Sequence, residues 1–320
     1  MAAPWYGGEN YDPDPNLKIW FDGKVIPVAD AKVSVFDHGL LYGDGIFEGI
    51  RSYNGRIFER DAHLKRFYNS AKAIRLQLPF TMEQLDRALD EALDANGLLR
   101  PDKDSYIRMV ATRGTGVLGI SPIRTWKPKI YIIASTIEMY AKEMYQKGMP
   151  VIISSVLRNN SNALPPQIKS LNYMNNILAK LEAHDAGVPE AIMMNHLGNV
   201  AEATGDNVFV VRDGQLLTPP PAAGLLEGVT RATVMRLARE AGIEVVERDL
   251  SRWDLYASDE CFLTGTGAQV IGVTKIDNRT VGNGAIGPIT RQLMEAYETL
   301  VRGASLDRPI HDSAMVGAKL

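Results

Sequence analysis

Residues 167–173 read Gln167-Ile168-Lys169-Ser170-Leu171-Asn172-Tyr173 and join an irregular, proline-bearing segment to a run with helical spacing. From Asn172 to Ala186 the apolar residues Tyr173, Ile177 and Leu181 share one face and Gly187 supplies a stop, so an amphipathic helix is expected. Lys169 then sits just ahead of a helix N-terminus. A lysine there can be desolvated and can feel the positive end of the helix; both effects lower its pKa and free the amine to attack an aldehyde. By position alone a solvated surface lysine is the better reading, so the surroundings must decide.

Working outward, Glu202 lies in Gly198-Asn199-Val200-Ala201-Glu202-Ala203-Thr204, just before a strand expected over Val208–Val211. A carboxylate facing a pyridine nitrogen keeps it protonated and makes the ring an electron sink; alone, Glu202 reads as a loop acid. The stretch Gly224-Leu225-Leu226-Glu227-Gly228-Val229-Thr230-Arg231 runs straight into a helix, which leaves the amides of Val229 and Thr230 free for an anion, with the Thr230 hydroxyl beside them. Gly265-Thr266-Gly267 follows a strand and offers a similar nest. Either glycine-bearing stretch is also ordinary turn chemistry. In His63-Leu64-Lys65-Arg66, Arg66 stands on a helix next to the core-facing Phe67 and can reach a phosphate with its planar fork, or simply face solvent; His63 reads as structural. Tyr106 and Arg108, two apart on one strand face, suit a carboxylate ligand, although a cross-strand ion pair explains Arg108 equally well.

The whole chain of 320 residues has average globular composition, with 45% hydrophobic and 23% charged residues. A net charge of -3 and a pI near 6.0 provide no basic face for nucleic acid or a membrane surface, so small molecules are the expected partners. The single cysteine, Cys261, excludes an intrachain disulfide and a cysteine-built metal site. No apolar run is long enough to span a bilayer and the start lacks a signal-peptide core, so a cytoplasmic enzyme is expected.

Two domains are expected: a lead-in over residues 1–16, a small domain over 17–135, a connection over 136–148 and a larger domain over 149–320. The small domain opens on a hairpin (Lys18–Phe21, Lys24–Pro27), then a Gly-rich stretch from Tyr42 to Gly49, then strands on either side of Asn54-Gly55. Helical spacing follows from Leu64 to Leu76 and, behind a Thr81 N-cap, from Met82 to Ala95; Ser105–Thr112 and Lys129–Ser135 read as strands. The larger domain is expected to hold strands at 150–155, 191–194, 208–211, 216–218, 244–247 and 260–264, with helices over 172–186, 229–241 and from Pro288 to Val301.

Together these segments resemble the class IV, or fold type IV, aminotransferases that use pyridoxal 5'-phosphate, and most of all the branched-chain amino acid aminotransferases. The ordered pieces are Tyr42-Gly43-Asp44-Gly45-Ile46-Phe47-Glu48-Gly49-Ile50-Arg51, His63 to Arg66, Tyr106-Ile107-Arg108, Lys169 to Tyr173, Glu202 to Asn207, Gly228-Val229-Thr230 and Gly265-Thr266-Gly267-Ala268. The resemblance implies an α+β fold with a small N-terminal domain and a larger C-terminal domain with a β-barrel-like core. It implies that Lys169 forms the internal aldimine and shuttles a proton between substrate and cofactor. Glu202 would pair with the pyridine nitrogen, Tyr173 with the ring hydroxyl, and Arg66, Val229, Thr230 and Thr266 with the phosphate.

The implied reaction is ping-pong: a branched-chain L-amino acid (Leu, Ile, Val) gives its amine to the cofactor, and 2-oxoglutarate then collects it. Tyr42, Phe47, Leu118, Ile120 and Tyr140 match apolar wall positions, and Gly49 adjoins them. Arg108 matches the residue that receives the distal carboxylate, while Tyr106 and the turn Thr266-Gly267-Ala268 would take the α-carboxylate. The resemblance also implies a homodimer or higher homo-oligomer, no metal, no nucleic acid and no membrane. Family members acting on D-amino acids carry an Arg-x-His pair after the strand; here Arg113-Gly114 is followed by Thr115-Gly116-Val117-Leu118-Gly119-Ile120. The Lys-Ser-Leu-Asn-Tyr form of the lysine segment occurs in several subgroups and leaves open D-amino acid or (R)-amine activity, or a lyase resembling aminodeoxychorismate lyase. A non-catalytic binding module would not keep Lys169, Glu202 and Arg66 together.

Overall fold

The computed structural model describes residues 14–137 and 139–303; most of the expected lead-in, and the last stretch of the larger domain, lie outside the described residues. In the first half, in chain order, come β1 (Lys18–Phe21), β2 (Lys24–Pro27), α1 (His38–Tyr42), β3 (Gly45–Tyr53), β4 (Arg56–Ile57), α2 (Arg60–Ala73), α3 (Met82–Ala95), β5 (Ser105–Thr112), β6 (Thr115–Gly116), β7 (Thr125–Trp126) and β8 (Lys129–Ser135). Asp22 and Gly23 both adopt positive φ, which the tight turn between β1 and β2 requires. The strands form a six-stranded sheet in the order β2-β1-β8-β5-β3-β4. α2 and α3 bury Leu64, Phe67, Leu85, Leu89 and Leu93 in one cluster with Ile46, Ile50, Ile107 and Ile132 from the sheet. α3 is started by a capping box in which Thr81 accepts from Gln84 and Gln84 returns the bond.

The second half holds α4 (Lys142–Lys147), β9 (Met149–Ile153), α5 (Met174–Asp185), β10 (Glu190–Met194), β11 (Val200–Ala203), β12 (Asn207–Arg212), β13 (Gln215–Thr218), α6 (Val229–Glu240), β14 (Val245–Glu247), α7 (Arg252–Tyr256), β15 (Glu260–Gly265), β16 (Gln269–Ile276), β17 (Arg279–Thr280) and α8 (Pro288–Arg302). Its main sheet runs β11-β10-β9-β16-β15-β12-β13-β14, with β17 beside β16. Alternation along one strand feeds two cores: Val208 and Val210 join one cluster, while Phe209 and Val211 join another with α6 and α8. A sheet covered on both faces reads as nearly continuous apolar sequence. The path runs from β11 to β14 and curls so that β11 also lies against β12, the half-barrel form of the barrel-like core expected here.

Several expectations shift. The Gly-rich stretch is largely strand, because Gly45 and Gly49 mark close approaches: a Cβ at Gly45 would lie 2.5 Å from the Ala111 carbonyl oxygen, and one at Gly49 2.2 Å from Tyr106 Oη. β11 turns Glu202 from a loop acid into a buried strand residue. β16 is a full strand despite Gly272, whose missing side chain makes room for Ile286. The connection contains α4, α2 ends at Ala73 short of Ile74 and Leu76, and α5 begins at Met174, two residues later than expected, with Tyr173 as N-cap.

One connection governs the site. Lys169 lies late in the chain, yet its segment pairs with the first sheet: Ile46 and Ser170 form an antiparallel bridge, Phe47 N donates to the Lys169 carbonyl at 2.9 Å, and Leu171 N to the Gly45 carbonyl at 3.0 Å. Lys169 N donates to Ser70 Oγ of α2 at 3.3 Å.

Candidate active site

A cavity of about 420 Å³ opens where the two sheets meet. Lys169 enters it from the β3 edge, with its Nζ 3.3 Å from Tyr173 Oη and 4.7 Å from the Phe47 ring centroid. Tyr173 and Phe47 meet edge to face at 5.1 Å, which holds both rings beside the amine.

Arg66 borders the cavity from α2 and is held by Glu48 of β3, a fully buried acid. Nε and Nη2 donate to the two carboxylate oxygens at 2.7 and 2.8 Å, and Nη1 donates to the Glu227 carbonyl at 2.9 Å. One side chain thus bridges both halves, with hydrogens left on Nη1 and Nη2. His63 Nδ1 lies 2.8 Å from the same carboxylate. Burial alone would raise the Glu48 pKa, but Arg66 and His63 override it and hold the carboxyl down at about 2. Burial lowers the His63 pKa, opposed by Glu48, so His63 is neutral at pH 7.

Next to Arg66, α6 starts at Val229 behind the N-cap Gly228, and no side chain caps it. The amides of Val229 and Thr230 therefore face the cavity as an anion cradle. A side chain at Gly228 would displace Asn207, since a Cβ would fall 2.1 Å from Asn207 Oδ1. Asn207 Nδ2 donates both to the Leu226 carbonyl at 2.9 Å and to Glu202 at 3.2 Å, joining the cradle to the buried acid.

Glu202 also accepts from Arg158 Nε at 2.7 Å and Leu226 N at 3.0 Å. Burial raises its pKa, with the Arg158 guanidinium pulling the other way. On the facing wall Arg108 Nη2 donates to Tyr106 Oη at 2.9 Å, and its guanidinium lies 4.5 Å from the Phe47 centroid. The Gly49 backbone makes room for Tyr106. The turn Gly265-Thr266-Gly267 closes the cavity, and Arg51 Nη1 pins the Gly267 carbonyl at 3.0 Å.

The structure thus brings Lys169, Arg66, Tyr173, Glu202, Val229, Thr230, Phe47, Gly49, Tyr106, Arg108, Tyr140, Thr266 and Gly267 around one cavity. Four residues fall elsewhere. Ala268 is 1% exposed, packed behind the turn. Leu118 and Ile120 are 71% and 83% exposed, and Tyr42 accepts the Gly119 amide at 2.8 Å on the same outer loop cluster. Tyr140 lines the cavity, but it is not simply an apolar wall: its hydroxyl faces Glu190 and Asp206. The sequence reading does not single out Glu48, Arg158, Asn207, Lys180, Glu190 or Asp206; an acid between the apolar pair Ile46-Phe47 and Gly49-Ile50 is the one signal that marks Glu48. Among the described residues no group of three or more His, Cys, Asp or Glu side chains is arranged for a metal.

An amine with a phenol beside it, a buried acid and an uncapped helix start next to an arginine make the donor set that a pyridine aldehyde phosphate requires. Residues 45–276 match the family model for amino-transferase class IV. The chain belongs to the class IV aminotransferase family. Within it, the likeness is to branched-chain enzymes: a protein of Methanocaldococcus jannaschii named putative branched-chain-amino-acid aminotransferase is 46% identical, over 89% of this chain and 96% of that protein. The crystal structure of the Escherichia coli branched-chain amino acid aminotransferase superposes with a TM-score of 0.86 at 34% identity, covering 91% of this chain and 96% of that one. The branched-chain amino acid aminotransferase from Thermobaculum terrenum, in its PLP-form, superposes with a TM-score of 0.81 at 35% identity, covering 90% and 94%. The family implies pyridoxal phosphate as cofactor.

Proposed function

We propose that the chain transfers the amino group of branched-chain L-amino acids to 2-oxoglutarate in two half-reactions through one site, with pyridoxal 5'-phosphate bound to Lys169. The observation that carries this is the Phe47–Tyr106–Arg108 wall, where an aromatic face and a guanidinium meet beside Lys169 and suit both an isobutyl group and a carboxylate. When bound, the cofactor supplies an electron sink for charge developing at the substrate Cα.

Arg66, the amides of Val229 and Thr230, and Thr266 hold the phosphate. Glu202, kept in place by Arg158 and Asn207, holds a proton on the ring nitrogen, and Tyr173 orients the ring hydroxyl. Lys169 would hold the cofactor through its amine and would move a proton at the substrate Cα. Tyr106 and the Thr266-Gly267 turn, backed by the buried Ala268, take the α-carboxylate, Arg108 takes the distal carboxylate, and Phe47 and Tyr140 pack the apolar side chain.

Tyr42, Leu118 and Ile120 act from a second copy. Val35, Phe36, Leu40, Leu118 and Ile120 are exposed apolar residues on segments joined by the Gly116–Phe36 and Gly119–Tyr42 hydrogen bonds, and a homodimer would cover them. Among the described residues no helix is long and apolar enough to cross a membrane; we place the enzyme in the cytoplasm.

The test is a half-reaction screen, in which individual L- and D-amino acids and (R)-amines are mixed with the loaded enzyme and the visible cofactor band is followed. L-leucine, L-isoleucine and L-valine should discharge the band, and leucine plus 2-oxoglutarate should form glutamate. Lys169→Ala should do neither and should lose borohydride-fixed cofactor. Discharge by D-amino acids or (R)-amines alone would replace this reading with its relatives, and pyruvate release from aminodeoxychorismate would point to a lyase.

A further inference from the structure

Asp206 and Glu190 are both buried beside the cavity, and the reaction described above uses neither. Tyr140 Oη lies 3.1 Å from Glu190 Oε2 and 3.2 Å from Asp206 Oδ2. A phenol has one hydrogen to donate, so both contacts are strong only when one acid carries a proton. The donors assign it. Glu190 also accepts from Lys180 Nζ at 2.7 Å, Ala191 N at 2.8 Å, and the Thr204 amide and hydroxyl at 3.2 and 2.5 Å, as an ionised carboxylate does. Asp206 has the Tyr140 hydroxyl as its one side-chain hydrogen-bond partner among the described residues.

We propose that Asp206 is a positioning residue that carries a proton, so that Asp206 donates to Tyr140, Tyr140 donates to Glu190, and the chain of bonds fixes the substrate pocket. Two contacts transmit the effect. Tyr140 stands on the connection between the sheets next to Met139, which packs over Gly267, where a Cβ would meet Met139 Cε at 2.3 Å. Asp206 Oδ1 abuts Gly265, where a Cβ would meet it at 1.9 Å. The same acid therefore supports the carboxylate-binding turn and tethers the wall opposite.

The charged and titratable groups facing Asp206 are Glu190 of β10, Lys180 of α5, Glu202 of β11 and Tyr140 of the connection. Burial and then the negative charge of Glu190 push the Asp206 carboxyl up to about 7, against Lys180 and Tyr140. Burial, followed by the two acids, raises the phenol of Tyr140, which keeps its hydrogen. As pH rises past the Asp206 pKa the proton leaves, two carboxylates compete for one hydroxyl, and the tether loosens.

The inference rests on the transaminase reading for its kinetic half alone. In infrared difference spectra at about pH 6, the wild type should show a protonated-carboxyl band that is absent from Asp206→Asn, and Tyr140→Phe should shift the pH at which it titrates. For the loaded enzyme, KM for leucine should rise about tenfold between about pH 6 and about pH 9, the equivalent of one hydrogen bond, with a smaller change in kcat. Asp206→Asn, whose amide donates as the protonated acid does, should flatten that rise. A wild type without the band, a band retained in Asp206→Asn, a titration unmoved by Tyr140→Phe, or an Asp206→Asn profile parallel to the wild type would each overturn the proposal. The infrared arm needs no substrate, so its failure is distinct from failure of the transaminase reading.

Discussion

Lys169 shows how little one residue's sequence position reveals. Its immediate neighbours fit a surface lysine, and the role proposed for it rests on groups far apart in the chain: Phe47 and Tyr173 beside it, and Glu202 near enough to be felt electrostatically. Glu48 is the converse case, an acid that supports the site without entering the family pattern of binding groups. Its folded carboxyl is held at about 2 from an ordinary 4.5, so the unfolded chain binds its proton first as pH falls. The stabilisation is complete above pH about 4.5 and is lost toward pH about 2, on the order of 3 kcal/mol. Glu48→Gln should therefore flatten the wild type's fall in urea midpoint across that window, while lowering stability at neutral pH by leaving Arg66 without its acid. It should also weaken cofactor binding to the apoenzyme about tenfold or more, because the guanidinium is no longer aimed. An unchanged acid slope would show that the pair does not carry this stability.

At the level of elements, strands and helices with clear periodicity or caps are legible, as Ser105–Thr112, Lys129–Ser135 and the Thr81-capped α3 show. Glycine obscures the others. In β3 a Gly-rich stretch hides the strand, and Gly272 lies in a strand that the sequence reading does not mark, yet the purpose of these glycines is close approach by another chain segment, which only the tertiary partner reveals. Glu202 looks like a loop acid because a buried charged residue breaks the strand pattern, and its partner Arg158 is 44 residues away. Gly49→Ala tests the close approach directly: the new methyl would displace the Tyr106 ring and break its 2.9 Å bond to Arg108. KM for 2-oxoglutarate should rise about tenfold, the worth of one charge-assisted hydrogen bond, with kcat changed less. Wild-type KM would mean that Tyr106 and Arg108 do not act as a unit.

Across the whole molecule, the ordered motifs make the two-sheet plan and the cavity legible, whereas the loop cluster around Tyr42, Leu118 and Ile120 is not interpretable from one chain. Those residues sit outside the cavity that the resemblance implies they line, on an apolar face. Ile120→Asp should weaken self-association about 100-fold or more, since an unpaired charge in an interface is costly, and activity should fall with it. Light scattering after gel filtration gives the mass, and an unaltered dimer, or a wild type that is already monomeric, would remove the proposed role of that loop. The outer edge of β3 carries a further consequence: β4 covers it near Ser52 and residues 169–171 cover it near Gly45. A gene split within codons 136–148 would assign Lys169 to one polypeptide and the strand that seats it to the other. Neither fragment could then inherit the activity alone, and recombination among relatives would preserve function only where both parts of that edge travel together.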